Sequence, residues 1–409
     1  MTERSPYVPQ DALSLWMLTD PARPSRVGEI SLALGGQGVA LHYADEWLRS
    51  GFALSEDLPL VDALFVPSHK QEIVGAVEDA RPDRWGERVI RKFERAPRMS
   101  LLEFLLFAGG DRYGALGVSQ RLDAYEPWAS SPMPTLGDLP AMDEVIRKVI
   151  ANEPVPDLEK RLLRPGVSLG GARPKSVIEI DGQPWLVKFG EGEDEDTPLI
   201  EHATMTLAAR CGIDVATTQA LPVRNRHAIA VRRFDRVDGR RIHAMSAHVA
   251  LRAVGEDFGY PQLAQQLRRL CRADDIARQQ MQLFRRMVFN ILIDNTDDHE
   301  KNHALLRQRD GSWTLSPAFD IVPSLSGLGY QAIAVGRDGA ASTLDNALSA
   351  AAAFGLKAPA AKLIVREIAS VVDGWRLHFK DSAVSAADLA MLAQYLDNDR
   401  LGAQRDMLR

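Results

Sequence analysis

The sequence predicts an α+β protein of two lobes, in which a small N-terminal β subdomain and a β-rich lobe precede an all-helical C-terminal lobe. Three observations carry this prediction. Residues 12–65 alternate short apolar runs with turn residues, a pattern typical of strands. The stretch VIEIDGQPWLVKF repeats that pattern in the middle of the chain. From about residue 261 onward, apolar residues recur three and four positions apart, which indicates amphipathic helices.

The N-terminal part is expected to continue from strands into helices. Residues 70–110 carry helical spacing, and the second of these helices, MSLLEFLLFAGG, is predicted to end at Gly109 and Gly110 because glycine commonly stops a helix. GDRYGALGVSQRL then predicts a return to strand. Residues 126–140 are rich in proline, serine and glycine and predict a linker. A helix from Met142 to Asn152 is expected to follow it.

The central part predicts a strand, a glycine loop, and two further strands joined by a turn at Asp181 and Gly182. A helix is expected after Thr197, which is a favourable N-cap, with Pro198 at its first helical position and Gly212 at its end. AIAVRRFDR predicts another strand, and WTLSPAF a short one. The predicted domains are an N-terminal subdomain at 1–125, a linker and helix at 126–150, a β-rich lobe with the glycine loop at 151–236, and a helical lobe at 237–409.

Composition limits the classes of function. With 45% hydrophobic and 25% charged residues, the 409-residue chain has the profile of an ordinary soluble globular protein. Its net charge of −6 argues against binding nucleic acid through bulk charge. The two cysteines do not form a C-x-x-C pair, which disfavours disulfide scaffolding and cysteine zinc sites. The N-terminal segment lacks the apolar core of a signal peptide, and no apolar run is long enough for a membrane span. A cytoplasmic protein without membrane contact is therefore expected.

The most informative stretch, NTDDHEKNHALL at 295–306, supports two interpretations. His299, Glu300 and His303 form H-E-x-x-H, which on a helix presents two imidazoles to a zinc ion. The same stretch contains acid, histidine, lysine and amide at D-x-H-x-K-N spacing. That arrangement suits a phosphoryl-transfer loop, in which an aspartate takes the hydroxyl proton and an asparagine holds magnesium.

The rest of the chain supplies the other parts that phosphoryl transfer requires. A glycine pair, Gly170 and Gly171, leaves room for phosphate beside the backbone, although a hairpin turn would have the same glycines. Lys188 lies within the apolar run WLVKFG, where it must find an anion or extend to solvent. Glu201 lies in the first turn of the next helix, where it can pair with Lys188 or favour the helix N-terminus.

The predicted connector between the two lobes and a second acidic residue complete the parts that phosphoryl transfer requires. Backbone groups near Arg232 and Phe234, in AIAVRRFDR, are placed to meet an adenine, although a plain strand explains them equally well. Asp320 follows Asp297 by about two dozen residues, as a second magnesium ligand requires. No single motif is specific, but the motifs follow one another along the chain in the order that a phosphoryl-transfer site needs, which favours this interpretation. Zinc is disfavoured because DNTDD favours a turn over a continuous helix.

These motifs together resemble the HipA family of serine/threonine kinases, the toxins of type II toxin–antitoxin modules. ARPDRWGERVI and GGDRYGALG are similar to the family's N-terminal part. VSLGGARPK, WLVKF, VRRFDR, NTDDHEKNH and LSPAFDIVPS are similar to its kinase core, in the same order. The resemblance therefore implies a two-lobed protein-kinase-like fold with ATP and Mg²⁺ as cofactors.

The resemblance also implies a role for each motif residue. Asp297 would be the catalytic base, supported by His299 and Lys301. Asn302 and Asp320 would hold magnesium, and Glu201 would pair with Lys188. Ser168 matches the serine that this family autophosphorylates, which expels the loop and silences the kinase. The ATP contacts would come from Gly170, Gly171, Ala172, Arg173, Lys175, Lys188, Arg232 and Phe234.

The implied partners are a small helix-turn-helix antitoxin similar to HipB, DNA reached through that antitoxin, and a protein substrate such as an aminoacyl-tRNA synthetase. Two positions depart from the family pattern: Pro174 removes a backbone donor from the loop, and Phe319 replaces a common tyrosine. Three alternatives stay open at this point: a zinc hydrolase using His299, Glu300 and His303, a small-molecule kinase, and a non-catalytic regulator that only binds a partner.

Overall fold

The structure is a computed structural model that describes residues 7–129, 131–167 and 171–407. Its strands are short, as expected for a chain with many turns. In chain order they are β1 (Ala12–Met17), β2 (Ser25–Ala33), β3 (Gly38–Tyr43), β4 (Leu64–Phe65), β5 (Leu116–Ser119), β6 (Lys175–Ile180), β7 (Gln183–Phe189), β8 (Thr218–Val223), β9 (Arg226–Arg232), β10 (Arg236–Val237), β11 (Arg240–Arg241), β12 (Ala244–Ser246), β13 (Ala304–Arg307) and β14 (Trp313–Leu315).

The α-helices lie mainly in the second half of the chain. They are α1 (Asp45–Ser50), α2 (Arg84–Phe93), α3 (Leu101–Phe107), α4 (Leu139–Ile150), α5 (Thr197–Arg210), α6 (Ala247–Arg252), α7 (Tyr260–Leu270), α8 (Ile276–Leu292), α9 (Leu344–Ser349), α10 (Ala358–Val372), α11 (Trp375–Asp381), α12 (Ala386–Leu396) and α13 (Asp399–Asp406). Short 3₁₀ turns lie between them, among which Asp157–Leu162 precedes the glycine loop and Glu300–Asn302 lies within the NTDDHEKNH stretch.

The chain forms two compact units. The first contains residues 1–186 and 235–245, and the second contains residues 187–234 and 246–409. The chain passes from the first unit to the second within β7. The domain boundaries given in the sequence analysis stay predictions.

The first unit is built on an antiparallel five-stranded sheet in the order β4–β3–β2–β1–β5. Strand β1 is buried along most of its length, and α3 packs against β1, β2, β3 and β5. Ser100 is the N-cap of helix α3, and its backbone and side chain form a capping box with Glu103. Glu103 is fully buried, and it also receives hydrogen bonds from Tyr7 (2.8 Å) and Arg98 (2.9 Å). Local capping and apolar burial therefore agree in placing this helix.

The second unit combines a small sheet with a helical body. Strands β7, β9 and β8 are neighbours in that order, and α5 packs on β8 and β9. The helical body surrounds α8, which contacts α7 and α10 and is buried along its apolar face. That face carries Phe284, Met287, Val288 and Ile291, in agreement with the periodicity of the sequence. The predicted helical core of this part is confirmed.

Three local predictions are wrong. Residues 163–167 form no strand before the glycine loop, because the 3₁₀ turn Asp157–Leu162 leads into it and Pro165 has no N–H for a strand ladder. Thr197 is the first residue of α5 and Asp196 is its N-cap, whose carboxylate accepts a hydrogen bond from His227 (2.7 Å). The C-terminal region is not all-helical, because β13 and β14 pair just after the NTDDHEKNH stretch.

The other predicted elements agree with the structure to within a few residues. The helix expected at 142–152 spans Leu139–Ile150, and the strand pair around Asp181 and Gly182 is present as β6 and β7. None of the helices in the described ranges has the length and apolar character needed to cross a membrane.

Candidate active site

Lys188, Glu201 and Asp320 form a buried charged cluster in the second unit. Lys188 projects from β7, and its Nζ donates to Glu201 Oε1 at 2.7 Å and to Asp320 Oδ1 at 2.5 Å. The side chains of Lys188 and Glu201 are only 8% and 2% exposed. Asp320 retains 29% of its exposure. Residues 132 positions apart in the chain are thus brought together, as the phosphoryl-transfer interpretation requires.

The charge balance of this cluster suits a cation. Burial alone lowers the pKa of Lys188, but Asp320 and Glu201 together raise it above its ordinary value, so the amine stays protonated. Two carboxylates around one ammonium leave a formal charge of −1. Asp320 also has a φ of +59°, in the left-handed region that aspartate tolerates better than most residues. A strained and partly exposed carboxylate is typical of functional positions.

The NTDDHEKNH stretch forms a tight loop between α8 and β13. Ser324 Oγ accepts hydrogen bonds from the backbone N–H groups of Thr296 (2.8 Å) and Asp297 (3.2 Å). Asn302 Nδ2 donates to the carbonyl of Asp297 at 3.3 Å. Asp297 is exposed, whereas Asn302 is buried. The loop therefore presents the predicted base to solvent while the asparagine holds the turn from inside.

A buried network that the sequence reasoning missed supports this loop. Asp298 Oδ2 accepts hydrogen bonds from Tyr260 and from His303 Nε2, the latter at 2.8 Å. Asn290 Nδ2 donates to the Tyr260 hydroxyl at 3.2 Å. Burial alone raises the pKa of Asp298, but His303 and Tyr260 lower it below its ordinary value, so the carboxylate stays charged. The second aspartate of the motif was the one sequence feature that could have indicated a role for Asp298. Tyr260 lies 38 residues away, and no local sequence feature relates it to the loop.

The H-E-x-x-H string does not form the helix that a zinc site requires. Residues 300–302 form one 3₁₀ turn, and His299 Nδ1 accepts a hydrogen bond from the backbone of Lys301 at 3.2 Å. Glu300 pairs with His248 at 3.0 Å, and His303 faces Asp298. Across the described ranges, no group of three or more His, Cys, Asp or Glu side chains could hold a metal ion. The geometry therefore disfavours the zinc-hydrolase alternative.

The segment that is predicted to meet the adenine lies at the end of β9. The rings of Phe234 and Phe319 lie 5.4 Å apart at an angle of 37°. Phe319 therefore keeps an aromatic contact although the family's tyrosine hydroxyl is absent. Arg232 is exposed, and its backbone N–H donates to Thr217 at 2.8 Å within the sheet. The adenine contacts of Arg232 and Phe234 stay predictions.

The glycine loop belongs to the first unit, and Ser168 and Gly170 lie outside the described residues. Gly171 has a φ of +100°, a conformation that favours glycine. Ala172 and Arg173 follow it without regular structure. Lys175 is buried, and its Nζ donates to Asp83 Oδ2 at 2.8 Å. The predicted phosphate contact of Lys175 therefore competes with a carboxylate partner that the sequence did not reveal.

The DRWG stretch at 83–86 holds both ends of this loop. Beside the Asp83–Lys175 pair, Trp85 Nε1 donates to the Lys175 carbonyl at 2.9 Å. A Cβ on Gly86 would lie 1.9 Å from the carbonyl oxygen of Pro165, so only glycine allows this approach. The ARPDRWGERVI motif thus positions the loop from within the first unit.

Comparisons with known proteins agree with this arrangement. The chain matches the HipA-like C-terminal domain at residues 167–375 and the HipA N-terminal domain at residues 22–119. It is 25% identical over 330 residues to the serine/threonine-protein kinase toxin HipA of Shewanella oneidensis, with 72% of each chain covered. It is also 25% identical over 315 residues to the putative kinase Y4mE of Sinorhizobium fredii, with 70% of this chain and 73% of the relative covered.

Solved structures give the same fold. HipA of Shewanella oneidensis, solved in a complex with HipB and operator DNA, matches with a TM-score of 0.67 and 19% identity over 97% of each chain. This match supports the kinase-like fold predicted from the motif order. Since the HipA-like C-terminal domain alone covers more than half of its length, the chain belongs to the HipA family.

Proposed function

We propose that the chain is an ATP- and magnesium-dependent serine/threonine protein kinase and the toxin of a toxin–antitoxin system. The single observation that carries the proposal is the buried Lys188–Glu201–Asp320 cluster. Binding of a nucleoside triphosphate requires such a lysine. A carboxylate from a helix orients it, and a second, partly exposed carboxylate lies beside it. The names of the two relatives, a kinase toxin and a putative kinase, support the same activity.

The donor set fits a magnesium ion. Asp320 offers carboxylate oxygens, and Asn302 offers an amide oxygen because its Nδ2 is the atom that donates to Asp297. Oxygen ligands of this kind are the ones that Mg²⁺ prefers. When bound there with ATP, the ion would neutralise charge on the phosphates. Lys188 then needs only to exchange its contact with Asp320 for a phosphate oxygen, while Glu201 continues to orient it.

The proton transfer is assigned to Asp297. Its carboxylate is exposed, so a substrate hydroxyl can reach it, and its backbone is fixed through Ser324 and Asn302. Asp297 accepts the hydroxyl proton as the new oxygen–phosphorus bond forms and the bond to the leaving ADP breaks. His299 and Lys301 lie in the same turn and support the charge and shape of the loop.

The remaining roles rest on the resemblance to the family. Ser168 is proposed as an autophosphorylation site, and Gly170 to Lys175 as the phosphate loop. A HipB-like helix-turn-helix antitoxin is the proposed partner, and DNA is reached through it. The proposed substrate is a translation protein such as an aminoacyl-tRNA synthetase. The match to a HipA solved with HipB and operator DNA supports the antitoxin assignment.

Transfer of radiolabel from γ-labelled ATP, in a bacterial lysate with magnesium, tests the reaction. The wild-type chain is expected to label itself or a lysate protein, and Asp297→Gln to lose this label while it retains ATP binding. Asp257→Asn, an exposed carboxylate outside the loop, serves as the matched control and should retain labelling. Persistent label with Asp297→Gln would exclude Asp297 as the base, and absence of label with the wild-type chain would count against a kinase.

A further inference from the structure

A basic groove lies in the first unit. It has a volume of about 630 Å³ and is formed by one face of α2 and the C-terminal end of α4. Four cationic side chains line it, Arg84, Arg88, Arg91 and Lys92, together with a single acid, Glu87. A concentration of positive charge is unexpected on a chain whose net charge is −6. The groove has no part in the reaction proposed above.

The arginines of the groove share one face of α2. Arg84, Arg88 and Arg91 are spaced i, i+4 and i+7, and all three are exposed. At a rise of about 1.5 Å per residue they span roughly 10 Å along a rigid helix. Lys92 borders this stripe on the side of α4. The groove therefore presents its charges as a row and not as a single point.

Among the residues that the structure describes, three of the four cations of the groove lack an anionic partner, and the fourth, Arg91, has only a long contact with Glu87. Glu87 Oε1 is already taken by Arg81, which donates to it at 3.0 and 2.7 Å. Arg88 donates only to the carbonyls of Val149 (3.4 Å) and Ile150 (2.7 Å). Neutral acceptors of this kind orient a cation but do not neutralise it.

Lys92 donates only to the side-chain oxygen of Asn152, at 2.9 Å. Over residues 7–129, 131–167 and 171–407, Arg84, Arg88 and Lys92 make no ion pair. Arg91 reaches Glu87 only at 4.0 Å, the limit of an ion pair. The groove thus carries excess positive charge that an external anion can satisfy.

We propose that this groove binds the phosphate backbone of duplex DNA directly. A row of fixed cations fits regularly spaced phosphates, which recur about every 3.4 Å of helix axis on each strand. Binding of single strands generally uses aromatic side chains on which bases stack, and no aromatic residue lines this groove. The chemistry is sequence-independent, because arginine and lysine contacts to phosphates fix position without reading bases.

The salt dependence of binding gives a quantitative expectation. Neutralising up to four phosphates predicts a slope of log K against log salt of about −3.6, since each contact contributes about −0.9. Replacing Arg84 and Arg91 by alanine should reduce the magnitude of this slope by about 1.8. Arg88 and Lys92 are left unchanged in this variant because they also hold the end of α4.

Fluorescence anisotropy with a labelled 20-base-pair duplex, titrated with the full chain from 50 to 200 mM NaCl, tests the proposal. The wild-type chain is expected to lose affinity by roughly two orders of magnitude over this range. The Arg84→Ala/Arg91→Ala variant should bind more weakly and with the shallower slope. Arg49→Ala/Arg268→Ala removes the same charge from two exposed arginines elsewhere and should follow the wild type.

Three outcomes would overturn the proposal. One is a wild-type chain that does not bind the duplex at 50 mM NaCl. Another is an equal loss of affinity in the two double variants, because the effect would then reflect net charge alone. The third is tighter binding to a single strand of the same length than to the duplex. Kinase activity does not enter the measurement, so failure of the kinase proposal leaves this test unaffected.

Discussion

Replacing Lys188 by methionine should strongly destabilise the second unit. The substitution removes the cation that faces Glu201, whose side chain is 2% exposed, and leaves that carboxylate buried beside Asp320. Breaking a buried ion pair by removing one partner costs about 3–5 kcal/mol. Asp320, at 29% exposure, can be hydrated and adds little to this loss. At about 2–4 °C per kcal/mol for a unit of this size, the melting temperature should fall by about 10 °C.

The pH dependence of this effect has a definite sign. The folded pKa of Lys188 is raised above its ordinary value of 10.5, so its stabilisation is fully present below pH 10.5 and is lost as the pH rises through the folded pKa. The difference between the wild type and Lys188→Met should therefore be constant from pH 7 to about pH 10.

Differential scanning fluorimetry measures the change, and two variants control it. Lys362→Met removes an exposed lysine of α10 and should shift the melting temperature by less than about 2 °C. Lys188→Met combined with Glu201→Met removes both charges and should recover much of the loss, because no buried carboxylate is left unpaired. A melting temperature of Lys188→Met within about 2 °C of the wild type would refute the reasoning.

Three further predictions concern the loop supports and Ser168. Asp298→Asn should lower the melting temperature at pH 7, and this deficit should shrink as the pH falls below about 4. The reason is that the folded pKa of Asp298 is lowered, so its stabilisation is present above the ordinary value of 3.8 and is lost on acidification. A deficit that grows in acid would contradict this. Asp83→Asn and Lys175→Met should each lower the free energy of unfolding by about 3 kcal/mol, and the double variant should lose no more than one of them, because the ion pair is buried. Urea denaturation measures these losses, and additive losses would show that the two side chains are not coupled. Ser168→Asp should weaken ATP binding in calorimetry by charge repulsion, and unchanged affinity would count against its role.

The order of motifs could be predicted from sequence because each motif is local. The strand around Lys188, the helix around Glu201 and the NTDDHEKNH turn each carry their own periodicity or turn chemistry, and the structure contains all three. The convergence of Glu201 and Asp320 on Lys188 was inferred from the shared chemistry of ATP binding, and it is seen as two hydrogen bonds from the Lys188 amine. Asparagine and aspartate in DNTDD correctly favoured a turn over a zinc-binding helix.

The supports of the site could not be predicted, because their partners are remote in sequence. Tyr260 and Asp298 are 38 residues apart, and Asp83 and Lys175 are 92 apart. No local pattern relates such residues, and each side chain taken alone fits a solvated surface. The same limit explains Lys175, which was assigned to phosphate from the resemblance to the HipA family. Only the fold reveals that a carboxylate from the N-terminal part already binds it.

Calorimetric titration of ATP in the presence and absence of magnesium tests the central claim most directly, namely that Lys188, Asn302 and Asp320 form one nucleotide and metal site. The wild-type chain is expected to bind ATP tightly only with magnesium. Asp320→Asn should lose most of the magnesium-dependent gain, while Asp345→Asn, an acid of α9, should retain it. Binding of ATP that is independent of magnesium, or unchanged in Asp320→Asn, would contradict the account.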